Sequence, residues 1–207
     1  MGLFSLLVNN PIAFFIIAIP LMYAIIFHEL AHGWVAYRLG DSTAKDLGRL
    51  SLNPLRHLDP LGTLMLFIVG FGWAKPVPVN FSRIQDFRKG MILVSSAGIV
   101  ANIILAFIAL FLYSLLALPE SSMSGLLLYF FAKINIILAA FNLIPVPPLD
   151  GSKILLGFAP QNVQVFLVRL ERFGFLIVIG LLYLGVLDPV IDFLQRLILS
   201  IIQLLLP

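Results

Sequence analysis

The chain has 207 residues, 61% of them hydrophobic and only 11% charged, with a mean hydropathy of +1.08. A soluble domain carries roughly 25% charged residues, so this composition excludes a water-facing globule and any soluble nucleic-acid-binding role. There is no cysteine, which also excludes disulfides, thiolate zinc sites and thiol nucleophiles.

The whole chain, residues 1–207, reads as a single integral membrane domain. The expected fold is an all-α bundle of about four to six transmembrane or re-entrant helices. The first 37 residues hold no Lys or Arg, and Glu29 is their only acid. Without a basic start, no cleaved secretory signal is expected. Pro11 to Tyr37 is nearly continuous hydrophobe, long enough for a span of about 20 residues, and Pro20 predicts a kink or an interfacial turn. Residues 38–60 form a polar loop with four basic residues.

Leu61 to Trp73 has 13 residues, three of them Gly, and is short for a span, which fits a re-entrant segment. A second basic loop covers 74–90, again with four Lys or Arg. Within it, Pro76–Phe81 alternates and is bounded by proline. That pattern predicts a small β-like, membrane-associated edge strand. Met91–Leu118 and Leu126–Ile144 read as long spans, the second interrupted by Lys133, Asn135 and Asn142. Phe173–Leu187 and Val190–Leu206, split by Asp188-Pro189, read as two short segments or a hairpin. The catalytic core is expected over about 11–153 and the C-terminal helices over 172–206.

Charge predicts the orientation. Loops 38–60 and 74–90 are basic, 146–172 carries Lys153, Arg169 and Arg172, and 119–125 carries no basic residue. The positive-inside rule puts the first three on the cytoplasmic side of the cell membrane, provided that Leu61–Trp73 enters and leaves on one face. The net charge of +3 is accounted for by these loops.

The chemistry centres on His28-Glu29-Leu30-Ala31-His32. Residues four apart on a helix project from one face, one turn or roughly 6 Å apart, which suits two imidazoles on one tetrahedral zinc. Glu29 is placed as general base toward the attacking water. A carboxylate and two imidazoles are costly inside a membrane helix, and such groups are functional by default. A catalytic zinc needs a third protein ligand. The candidates are His57, the remaining histidine, and Asp150, beside helix-breaking prolines at the end of a span. His28 precedes Arg38 by ten residues, about 15 Å of helix, so it and Asp150 can meet in the cytoplasmic half of the bilayer. His57 reads more simply as a loop imidazole near the interface. A metal transporter would need further intramembrane ligand stations, and these spans are poor in His, Asp and Glu. A non-catalytic helix-binding chaperone would not need the intact His-Glu-x-x-His.

Four segments resemble the site-2 protease family of zinc intramembrane metalloproteases, especially its short prokaryotic members without a PDZ domain. They are Phe27–Gly33, Asn53–Thr63, Gly72–Asn80, and Phe141–Pro145 with Leu149-Asp150-Gly151, in the family's order. The resemblance implies one Zn2+ per chain held by His28, His32 and Asp150, with Glu29 activating water. It implies that Asn142 stabilises the transition state or positions substrate, and Asn102 likewise, although Gly98–Asn102 lacks the proline frequent in the family. It further implies that Lys75–Asn80 receives an unwound substrate. The expected partners are the lipid bilayer and a membrane-protein substrate with a transmembrane helix; oligomeric state is left open.

Overall fold

A computed structural model describes residues 3–69 and 72–206; Gly70 and Phe71, inside the expected re-entrant segment, lie outside the described residues. The helices are α1 (Leu3–Asn9), α2 (Pro11–Arg38), α3 (Thr43–Asp46), α4 (Pro60–Val69), α5 (Phe87–Leu115) and α6 (Met123–Leu143). They are followed by α7 (Asp150–Phe158), α8 (Gln161–Glu171), α9 (Gly174–Tyr183) and α10 (Asp188–Leu205).

Among the described residues, α2, α5 and α6 are each long and apolar enough to cross a membrane. The pair α9 and α10, bent by 91° at its break, could supply a fourth span. α4 and α9, with only ten residues each, are too short to span alone. Side chains determine where these helices begin. Asn10 accepts a hydrogen bond from the Ala13 N–H ahead of α2, Asp86 accepts from Lys89 N–H ahead of α5, and Ser122 accepts from Gly125 N–H ahead of α6. Pro20 does not interrupt α2, which runs as one helix of 28 residues. A spanning helix tolerates the lost backbone bond where neighbours re-satisfy it.

α5 is the central helix and packs against α2, α6 and α7, while α10 packs on α6. The most completely buried positions include many small residues: Ala24, Ala36, Ala106, Ala132, Ala139 and Ala140 are almost fully enclosed. Large side chains such as Phe15, Ile19, Ile104 and Ile108 face outward. Lipid is as apolar as leucine, so close packing decides what lies between spanning helices, and small residues win those positions. Ile99, Ile136, Ile198 and Ile202 fill the gaps in the main cluster. Lys133 is exposed on α6, in a groove it shares with Asp192 and Arg196 of α10.

The expected β-like element does not form. Among the described residues there is no strand, only an isolated antiparallel bridge between Leu58 and Ala74. Pro76 and Pro78 cannot donate to a ladder, and the free N–H groups of this stretch turn to carboxylates instead. Val77 N–H donates to Glu29 Oε2 at 2.7 Å and Asn80 N–H to Asp41 Oδ2 at 2.6 Å. The segment joins no ladder and is held by side chains.

Candidate active site

α2 delivers His28 and His32 one turn apart on its buried face. Asp150 arrives at the first residue of α7, after α6 ends and the chain turns through the cis Pro147–Pro148 bond. Gly151 allows this return: a Cβ there would lie 2.3 Å from the Leu143 carbonyl oxygen, so α7 can start against the end of α6 only without a side chain.

The three side chains converge. His28 Nε2 and His32 Nε2 are 3.0 Å apart, and each is 3.1 Å from Asp150 Oδ2. All three residues are buried.

The other ring nitrogens are already committed. His28 Nδ1 lies 2.6 Å from Asn102 Oδ1, and His32 Nδ1 lies 2.7 Å from the Val94 carbonyl oxygen. Both partners accept only, so both Nδ1 atoms carry the proton and both Nε2 atoms present lone pairs. Two imidazole lone pairs and a carboxylate oxygen packed together repel one another unless a cation sits among them. Two imidazole nitrogens and one carboxylate oxygen are also the ligand types and number of a catalytic zinc. Their separations are close to the roughly 3.3 Å edge of a tetrahedron with bonds of about 2.0–2.1 Å. The residues present therefore fit zinc.

α5 closes the site from above the rings. A Cβ on Gly98 would lie 2.5 Å from both His28 Cε1 and His32 Nε2, so glycine is the residue that lets α5 approach the pair. Glu29, one residue past His28, is half-buried. Its Oε2 accepts from Val77 N–H, while Oε1 has no hydrogen-bond partner among the described residues.

The remaining candidates divide. Asn102 is fully buried and engages His28 rather than open space. Asn142 is half-buried and donates through Nδ2 to the Leu138 carbonyl of its own helix at 3.0 Å. His57 takes no part in the cluster. It is buried and donates from Nε2 to the Ser51 carbonyl at 2.7 Å, while its own carbonyl accepts from Lys75 N–H. Three contributors escaped the sequence reading. Gly98 was visible only as part of a motif, Asn135 only as a polar interruption in a span, and Asp41 only as a turn signal. Burial opposes ionisation of Asp41, yet donors from Thr43 and Asn80 and the charge of Arg83 hold its carboxyl below the usual range.

The chain is 44% identical over 168 residues to YwhC of Bacillus subtilis (strain 168), covering 78% of this chain and 77% of that one. It is 30% identical over 166 residues to Rip2 of Mycolicibacterium smegmatis, covering 78% of this chain and 64% of Rip2. Both relatives are named "Putative zinc metalloprotease". It is also 26% identical over 150 residues to zinc metalloprotease MJ0392 of Methanocaldococcus jannaschii, covering 72% of this chain and 36% of that one. No solved structure matches. The family model of Peptidase family M50 matches residues 118–184, the part of the chain that carries Asn142 and Asp150. With that match and the identity to YwhC over most of both chains, the protein belongs to Peptidase family M50, the site-2 protease family of membrane zinc metalloproteases.

Proposed function

We propose that this metalloprotease cleaves peptide bonds of transmembrane-helix substrates, near the cytoplasmic side of the cell membrane. The observation that carries the reading is the place of the His28, His32 and Asp150 cluster: buried where α2, α5 and α7 meet, inside a bundle of membrane-spanning helices. A site so placed is reached from within the bilayer more readily than by a soluble chain. The basic loops 38–60, 74–90 and 146–172 support a cytoplasmic assignment for that end of the bundle.

His28, His32 and Asp150 would hold the zinc. When bound, zinc supplies a Lewis acid that polarises the scissile carbonyl and lowers the pKa of water toward about 7. Glu29 acts as general base through Oε1, taking a proton from the attacking water and passing it to the leaving amine nitrogen. Its Oε2 stays on Val77 N–H, which fixes the carboxylate's direction. A helical substrate must unwind locally to expose a carbonyl, and we assign Asn142 a polar contact to that backbone, for which its Nδ2 would leave the Leu138 carbonyl.

Glu29→Gln tests this reading. It should abolish cleavage of a reconstituted transmembrane substrate while zinc binding persists, since glutamine keeps an oxygen for Val77 N–H but cannot take a proton. Cleavage at the wild-type rate would sink the assignment.

A further inference from the structure

We propose that Asn135 is a positioning residue of the metal site, acting through Asn102 to hold His28 in the tautomer whose Nε2 is free to bind zinc. The inference rests on the zinc reading above and extends it to a residue on α6 that touches no ligand directly.

Asn135 and Asn102 are both fully buried, on α6 and α5, among apolar side chains of spanning helices. Amides placed there are costly unless their hydrogen bonds are made. Every link is made, and each fixes the next. Asn135 Nδ2 donates to the Phe131 carbonyl at 2.7 Å. Its Oδ1 therefore faces Asn102 and accepts from Asn102 Nδ2 at 2.7 Å. The same Nδ2 also donates to the Ala24 carbonyl at 3.3 Å. Asn102 Oδ1 is thereby turned to His28 Nδ1 at 2.6 Å. Backbone carbonyls only accept, so Phe131 and Ala24 set the direction of the whole chain. Flipping either amide would set oxygen against oxygen at its carbonyl. The outcome at the far end is an Nδ1–H on His28 and a bare Nε2 among the ligands.

His32 needs no such relay, because Val94 supplies a backbone carbonyl directly. On α5 no backbone carbonyl plays this part for His28, and the side chain of Asn102 takes its place. A side-chain amide has two faces, whereas a carbonyl has one. Asn102 alone is held only by the longer bond to Ala24, and Asn135 supplies the shorter one. Without Asn135, Asn102 can turn and present Nδ2 to His28. That selects the Nε2–H tautomer, which cannot bind the metal.

The test compares Asn135→Leu and Asn135→Asp in the full-length protein in detergent. Zinc affinity is read by competition with a chromophoric chelator, and the His28 tautomer by nitrogen NMR of metal-free protein with labelled histidine. Partners that orient a metal ligand are typically worth 10–100-fold in affinity. Asn135→Leu is expected to lose affinity in that range and to show Nε2–H signal at His28. Asn135→Asp is expected to restore affinity to within a few-fold of wild type. Burial among apolar side chains favours the neutral acid, which accepts from Asn102 through its carbonyl and donates to Phe131, so it orients Asn102 as asparagine does. A purely structural Asn135 predicts the reverse order, with leucine harmless and a buried acid damaging. That order, or wild-type zinc affinity and tautomer in Asn135→Leu, overturns this proposal alone. A wild type that binds no zinc overturns the metal reading and this proposal with it.

Discussion

α5 lies close against the two imidazoles, and Gly98→Ala perturbs that contact with one methyl group. The added carbon would stand 2.5 Å from His28 Cε1, 2.5 Å from His32 Nε2 and 2.7 Å from His28 Nδ1. Ordinary contact begins at 3.4 Å, so something must retreat by nearly 1 Å. The rings are poorly placed to do so, because Asn102 and Val94 hold their Nδ1 atoms at 2.6 and 2.7 Å. If α5 moves instead, overpacking costs about 1–3 kcal/mol. If the rings move, ligand atoms leave positions that metal sites keep within about 0.2 Å. The expected result is a loss of zinc affinity of about 100-fold or more, with the protein still folded. The control is Gly180→Ala in α9, where a Cβ would meet nothing within 4 Å and alanine should gain up to about 1 kcal/mol as a better helix former. Zinc competition and thermal unfolding in detergent measure both. Wild-type zinc affinity in Gly98→Ala would show that α5 does not press on the pair.

Two further outcomes follow from particular contacts. Asp150→Ala should leave purified protein nearly free of zinc by elemental analysis, while His57→Ala should keep zinc and lose only stability. The opposite pair of results would transfer the third ligand to His57. Asp41 has a carboxyl held below its ordinary range, so its stabilising contribution is complete above the unfolded-chain value of about 3.9. That contribution disappears as pH falls through the lower folded value. Asp41→Asn should therefore cost about 1.5–3 kcal/mol at neutral pH and flatten the acid limb of a stability profile measured from pH 7 to 3. An unchanged acid limb would remove Asp41 from the set of groups that hold the 75–80 segment.

What could be read from the sequence depended on the distance over which each feature acts. His28, Glu29 and His32 were legible because helical periodicity alone puts the histidines on one face. Asp150 was legible through family resemblance and the placement of loop charge, since nothing local joins it to α2. Gly98 and Asn135 were not legible, because their roles arise from the register between α5, α2 and α6, which a single sequence does not encode in any short pattern. The strand expected at Pro76–Phe81 failed for a definite reason. Alternation describes an extended backbone, but pairing needs a neighbour, and Glu29 and Asp41 take the N–H groups that a neighbouring strand would have taken.

The distribution of the proposed ligands along the chain has a consequence for biosynthesis. Two of them lie in the first spanning helix, and the third follows His32 by 118 residues, after both other long spans have been made. A nascent chain that has inserted α2 and α5 therefore holds two of the three proposed ligands and lacks the carboxylate, whatever zinc is present. Only when α6 is in place and α7 folds back against it does the carboxylate arrive. Assembly of the bundle thus acts as its own licence: the protease becomes competent at the moment its helices are correctly packed, and a mispacked copy is an inactive one.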